Sequence, residues 1–201
     1  LWAPAQGPVQ SVTISSGTSY RAPTFNDLFW EDTSEYTKGN PDLKPEEGVS
    51  TNLKINLKPV NEGTIRGSLT IANYTVDNLI QWSPDESWVY SPQNVLKSES
   101  TVLGLTATTA PKTWPISITL GTETTDSRVL TEGADRGKQL LYVPPAAQWA
   151  EAQLMVKKVR AHLSYRNLGR RRYSYADKAF FDSYQRLDAA LSFDFPLSGF
   201  V

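Results

Sequence analysis

Side chains able to do covalent chemistry are few in this chain. His162 is the only histidine, and cysteine is absent. A metal site needs more ligands than one imidazole. A nucleophilic triad needs a histidine set beside a serine and an acid, and nothing in the sequence places them so. Asp and Glu are plentiful, yet neither an HExxH helix nor a phosphate-cradling glycine loop occurs. No enzyme, metal or cofactor is expected. Recognition is what the residues offer. Trp30, Glu31 and Tyr36 belong to an exposed, mixed-charge run from Trp30 to Lys38, and Trp82, Trp88 and Tyr90 gather around a second connection. These six are the candidate ligand-binding residues. Arg170-Arg171-Arg172 is a cationic run that either grips phosphates or an anionic cargo through paired hydrogen bonds, or is a solvated charge cluster.

The elements that carry these residues read as strands. From Val49 to Lys58, the Val, Thr, Leu, Ile and Leu side chains alternate with Ser, Asn, Lys, Asn and Lys. A period of two sends one set to an apolar medium and the other to water. Leu187, Ala189, Leu191, Phe193 and Phe195 repeat the pattern, as do Val159, Ala161, Leu163 and Tyr165. Ile116, Ile118 and Leu120 show it more briefly, with Leu103, Leu105 and Ala107. Thr64 to Trp82 reads as extended throughout, beyond the usual strand of about 5–6 residues. No comparable stretch has a helical period. By this alternation His162 shares a polar face with Arg160 and Ser164.

The connections alternate in length. Residues 4–8, 59–63, 110–114 and 157–158 are short, whereas 20–47, 83–92, 128–140 and 170–182 are long. Short turns at one end and long loops at the other characterise a transmembrane β-barrel. Trp82, Trp88, Tyr90, Tyr142, Trp149, Tyr173 and Tyr175 lie near strand ends, where they would form an interfacial girdle or pack the loops. Bulk properties agree with this. Of 201 residues, 39% are hydrophobic and 20% charged, which excludes a disordered chain and a helical membrane bundle. No run approaches the roughly 18 apolar residues of a membrane helix. A net charge of -1 excludes a nucleic-acid partner of the ordinary basic kind. The abrupt start at Leu1-Trp2-Ala3 reads as a piece of something longer.

Two motifs bracket the long connection 20–47. In the first, Arg21-Ala22-Pro23, the proline pushes its predecessor toward an extended conformation and removes a ladder donor, so strand pairing should stop there. Arg21 is expected to meet carboxylates in the sheet or at its rim. In the second, Asn40-Pro41-Asp42-Leu43-Lys44-Pro45-Glu46, the two prolines fix φ and Asn40 and Asp42 can bond their own backbone. Leu43 is the lone apolar anchor. Both motifs are expected to position the loop rather than touch cargo.

The stretch Tyr20 to Trp30, followed by Gly39-Asn40-Pro41-Asp42-Leu43-Lys44-Pro45-Glu46, resembles the TonB-dependent outer-membrane receptors. Several later segments are similar in the same order: "NYTVDNLIQW" at 73–82, "WVYSPQNV" at 88–95, "LGL" at 103–105, "KQLLYVPP" at 138–145 and "SYQRLDAALSFDF" at 183–195. The resemblance implies an all-β fold, an antiparallel meander of long strands forming part of a transmembrane β-barrel of about 22 strands. It further implies a plug domain in the lumen and a TonB box ahead of it, neither visible in residues 1–201. The chain is thus expected to be a late portion of the barrel, about eight strands plus a stub, with Pro196 to Val201 leading toward terminal strands. The implied function is binding and import of a scarce, bulky nutrient such as a ferric siderophore, cobalamin, haem or glycan. The implied partners are outer-membrane lipid and lipopolysaccharide, the nutrient, and the TonB system acting through the plug. The implied location is the outer membrane of a Gram-negative bacterium.

Two other readings stay open on the residues alone. One is a complete eight-stranded outer-membrane barrel, structural or adhesive, since eight strands suffice to close one. The other is a soluble carbohydrate-binding β module with stacked Trp as its platform. In that module the alternating apolar positions meet a shared core; in a barrel they form an outer belt about 25 Å tall.

Overall fold

The computed structural model describes residues 7–32, 36–60, 64–84, 87–176 and 178–194, the side chains of residues 95 and 96 excepted. The expected turns at 4–8 and 59–63 fall partly outside these residues. Residues 33–35 of the Trp30–Lys38 run, Phe195 and the stretch 196–201 lie outside them altogether.

The chain folds as expected into an antiparallel meander. Its strands are β1 (Val9–Arg21), β2 (Glu46–Leu57), β3 (Ile65–Pro84), β4 (Tyr90–Thr109), β5 (Ile116–Val129), β6 (Ala146–Val156) and β7 (Val159–Leu168), then the two-residue β8 (Arg171–Arg172) and β9 (Phe180–Phe181), and β10 (Tyr184–Phe193). An eight-stranded sheet runs β1-β2-β3-β4-β5-β6-β7-β10, while β8 and β9 pair separately in the connection before β10. Among the described residues no ladder joins β1 to β10, so the sheet has two edges. Among the described residues no helix is long and apolar enough to cross a membrane, which says nothing of strands.

Register converts the alternation into two faces. Leu53 pairs with Ile14 and Ile71, and Ile71 with Leu103. Farther along, Ile118 pairs with Ala152, Ala152 with Leu163, and Leu163 with Ala189. These rows form one apolar surface that the chain itself leaves uncovered: Ile14 is 70% and Leu191 60% accessible. A soluble module would cover such a surface with a second layer. No second layer is present among the described residues. The opposite face carries Asn52, Lys54, Glu123, Trp149, Glu151, His162, Arg166 and Asp188, in register across the strands. His162 thus lies on the polar face with Arg160 and Ser164, as the alternation predicts.

Trp149 corrects the girdle expectation. It pairs with Gly121 and Arg166 on the polar face. Its indole lies over Gly121 so closely that a Cβ added there would fall within the ring. Glycine leaves the floor on which this cross-strand ring rests.

Strand length sets the second feature. β3 and β4 each have 20 residues, against 12 in β2 and 14 in β5. Pairing to β2 ends at Asp77 and pairing to β5 at Ser98, but β3 and β4 stay paired from Leu79↔Val95 to Pro84↔Tyr90. A two-stranded ribbon therefore projects beyond its neighbours, starting where Asn78 adopts a positive φ of 56°. Asn accepts that conformation more readily than most residues. The expected long loop at 83–92 is accordingly taken up in part by strand, since β3 runs to Pro84 and β4 resumes at Tyr90. An isolated two-stranded ribbon is marginal in water, and it is here that the chain packs. Ile80, Ser91, Pro92, Leu43, Asp27, Val129, Leu140, Leu141 and Ala179 are all buried, and all lie on the ribbon, at the top of β5 or in the loops around it.

Candidate functional site

The ribbon organises three long connections, beginning with residues 22–45. β1 stops at Arg21, two residues before Pro23, and the chain then makes a helix, α1 (Phe25–Phe29), that period-two reading did not foresee. Thr24 caps it. The Thr24 hydroxyl accepts from the Asp27 amide at 3.1 Å, and the Asp27 carboxylate accepts in return from the Thr24 amide at 2.9 Å. This reciprocal capping satisfies two amides that a helix start leaves free. The Thr-x-x-Asp spacing at 24–27 is the signal that would have revealed the helix.

Arg21 joins the two motifs. It pairs across the ladder with Glu46, and its Nε and Nη2 donate to that carboxylate at 2.7 and 2.6 Å. Arg21 Nη1 also stands 3.7 Å from Asp27. The same Glu46 accepts from the Ile80 amide at 2.7 Å, so one side chain binds the exit of β1 to the root of the ribbon. Asp42 N donates to Asn40 Oδ1 at 3.0 Å, the self-capping that this motif's composition suggests. Leu43 is the buried anchor. Asn94 on the ribbon accepts from Lys44 N at 2.9 Å and donates to Lys44 O at 3.0 Å. Asn40 Nδ2 donates to Pro92 O at 3.1 Å.

The six candidate ligand residues divide into two groups. Trp82 and Tyr90 are spent on packing: Trp82 Nε1 donates to Asp27 at 3.0 Å, and its ring stacks on Tyr90 at 6.3 Å. The Tyr90 hydroxyl meets that of Tyr142 at 2.7 Å, and Tyr90 shares a bridge with Thr37. Burial first, and Tyr142 second, push the Tyr90 hydroxyl up to about 12. Tyr175, in the third connection, donates to Gln81 at 2.7 Å. These rings hold loops together and do not form the expected girdle. Trp30, Tyr36 and Trp88 remain open to solvent at 46%, 71% and 78%. Glu31 is exposed and pairs through its backbone with Lys38, while Trp88 sits at the ribbon tip with a φ of 64°. Phe25 and Phe29, 5.1 Å apart on α1, add an exposed aromatic pair that the sequence reading missed. Among the described residues no group of three acidic, His or Cys side chains gathers as a metal site.

Asp27 supplies a pH dependence. Burial opposes its charge, but hydrogen bonds from Thr24 and Trp82, with Arg21 nearby, outweigh burial and hold the carboxyl below its ordinary 3.8. A depressed folded value gives stabilisation that is complete above the unfolded value and lost as pH falls through the folded one. Loop docking is expected to be flat from pH 7 to about 5 and to weaken below pH 4. Trp82 fluorescence in an Asp27→Asn variant should lose that acid transition. An unchanged transition would assign it to another group.

A long, uncovered apolar face, an alternation of short turns and long loops, and loops lashed to a projecting ribbon are features of a barrel wall. The family model "TonB dependent receptor-like, beta-barrel" matches residues 2–200. The chain belongs to the TonB-dependent receptor β-barrel family. Two curated relatives are named vitamin B12 transporter BtuB. One, from Photobacterium profundum, is 38% identical over 102 residues, covering 48% of this chain and 15% of the relative. The other, from Vibrio vulnificus, is 35% identical over 118 residues, covering 58% of this chain and 16% of the relative. The matched part is therefore a small fraction of those proteins. Among solved structures, the ferric yersiniabactin uptake receptor FyuA from Yersinia pestis superposes with a TM-score of 0.63 at 13% identity, covering 94% of this chain and 28% of that one. The copper transporter OprC gives 0.61 at 12% identity, covering 90% and 28%. At such identity these two share the fold. In a TonB-dependent receptor barrel the apolar face is the lipid-facing one and the polar face lines the lumen. The family is one of receptors rather than enzymes.

Proposed function

We propose that this chain forms part of the wall and outer rim of a receptor in the outer membrane of a Gram-negative bacterium, importing a scarce, bulky nutrient with energy from the TonB system. The observation that carries the reading is the ribbon platform. Three connections pack on one rigid hairpin and leave Trp30, Tyr36 and Trp88 open beside it. Rigid scaffolds that present a few exposed aromatic rings are suited to holding large ligands. Cobalamin is the first cargo to test, because the relatives sharing 31–38% identity carry that name.

The test uses the whole receptor in outer-membrane vesicles with labelled cyanocobalamin. Removing an aromatic anchor at a binding surface commonly weakens affinity by about tenfold or more, so Trp88→Ala should do so while leaving barrel assembly unchanged. Trp114, also open but at the opposite end of the sheet, is the control. Equal affinities in wild type, Trp88→Ala and Trp30→Ala would remove the ribbon from cargo binding. Saturable binding of a ferric siderophore in place of cobalamin would change the cargo and keep the site.

A further inference from the structure

The third connection contains a second constellation, separate from the aromatic platform. β8 and β9 form a minimal hairpin pairing Arg171 with Phe181 and Arg172 with Phe180. Arg171 lies over Phe181 at 5.2 Å and over Tyr184 at 5.1 Å. Arg172 lies over Phe180 at 4.5 Å, and Arg170 over the same ring at 5.1 Å. Stacking fixes the plane of a guanidinium and occupies its face, leaving the in-plane N–H edge to choose a partner.

That edge is poorly served. Arg172 Nη1 donates to Ala176 O at 3.1 Å, but its Nε is buried without an acceptor, as is Arg171 Nη1. Among the described residues Asp182 is the carboxylate that approaches the run, 3.7 Å from Arg170, and its own side chain is 94% accessible. A buried donor lacking a partner is costly and calls for a ligand or a mechanism. Position narrows the choice. Tyr184 pairs with Leu168, and Leu168 with Ala147, in rows that alternate onto the lumen face shared by Trp149, Arg166 and Arg186. The hairpin is tethered at the mouth, since Tyr142 N donates to Arg172 O at 2.7 Å and Tyr175 reaches Gln81 on the ribbon. It stands over the lumen side rather than the lipid belt.

We propose that Arg171 and Arg172 form an anion site at the mouth, taking a phosphate or carboxylate group of the incoming cargo through their guanidinium edges. The inference deepens the import reading and rests on it for the identity of the anion's carrier. The site itself is tested without that reading.

The experiment titrates inorganic pyrophosphate into the purified whole receptor in detergent freed of lipopolysaccharide, followed by calorimetry. Saturable binding is expected, weakened about tenfold or more in Arg171→Gln and in Arg172→Gln, since charge-assisted pairs of this kind are the strong ones. Arg136→Gln, whose guanidinium is already engaged by Glu132, should bind as wild type. Heat-modifiable gel mobility confirms that each variant keeps its barrel. No saturable binding, or equal affinity in all four proteins, overturns the proposal. So does a loss of retention by phosphatidylcholine vesicles containing lipopolysaccharide with pyrophosphate affinity unchanged, which would assign the arginines to the lipid surface. Arginine-dependent pyrophosphate binding in a receptor that takes up no cyanocobalamin supports the site and sinks the cobalamin reading alone.

Discussion

Replacing Glu46 with alanine is expected to destabilise the loop end of the receptor by about 2–4 kcal/mol, from an orphaned buried amide plus a lost ion pair. Three donors converge on this carboxylate: Nε and Nη2 of Arg21 and the amide of Ile80. The ion pair is the smaller part. The Arg21 side chain is 46% accessible, so solvent screens it, although the Glu46 side chain is only 12% accessible. The larger part is the Ile80 amide, which belongs to a buried residue and loses its acceptor. Glu46→Gln separates the two, because its amide oxygen still accepts from Ile80 but cannot answer both Arg21 donors. It should cost roughly half as much. Urea midpoints of the whole receptor in detergent, with hydrogen exchange at Ile80, report both quantities. Wild-type midpoints in both variants would show that the bridge between the motifs is idle.

That bridge also shows where sequence reading stops. Period two in β2 fixes which side chains share a face, and the register then follows, because a one-residue slip would turn every apolar side chain to the wrong side. Val49 to Leu57 therefore announced its face unaided. Arg21 and Glu46 are cross-strand partners separated by the whole excursion between β1 and β2. The motifs suggested a carboxylate for Arg21, but the choice among Glu31, Glu35, Glu46 and others needs the register. The ribbon was hidden for another reason. Strand chemistry continues through Ile80, Trp82 and Tyr90, and nothing local says that β2 and β5 stop earlier. Helix α1 spans five residues, too few to show a period, and only its Thr24–Asp27 cap betrays it.

The same distinction explains the aromatic rings. Trp82, Tyr90, Tyr142 and Tyr175 sit near strand ends, as a lipid girdle would, yet each hydroxyl or indole N–H meets a partner distant in sequence, across the ribbon and the connections packed on it. An amphipathic ring suits a bilayer interface and a loop junction for one reason: its body is apolar and its tip is polar. Composition cannot separate the two settings. Contacts across 52 to 94 residues of sequence do.

Gly39→Ala is expected to detach the 36–40 segment from α1, an effect of about 2–3 kcal/mol from overpacking and lost hydrogen bonds. A Cβ at Gly39 would stand 2.6 Å from the Leu28 carbonyl carbon, 2.7 Å from its oxygen and 2.7 Å from the Phe29 nitrogen. All three are backbone atoms, so no side chain can swing aside to relieve the contact. Moving the segment breaks the bonds from Gly39 N to Trp30 O and from Asn40 N to Asp27 O. It also pulls Thr37 from its bridge with Tyr90, and with it the neighbouring Tyr36. The loss is local: loops open below the energy of global unfolding, so the barrel should keep its heat-modifiable mobility while amides of 36–40 exchange faster. Gly17→Ala is the control, because a Cβ there meets nothing within 4 Å. If Tyr36 and Trp30, which flank the disturbed contact, hold cargo as proposed, its affinity should fall in Gly39→Ala although neither side chain has been altered. Faster exchange with undiminished cargo binding would show that the platform tolerates a loose 36–40 segment and that Trp88 carries recognition on the ribbon tip.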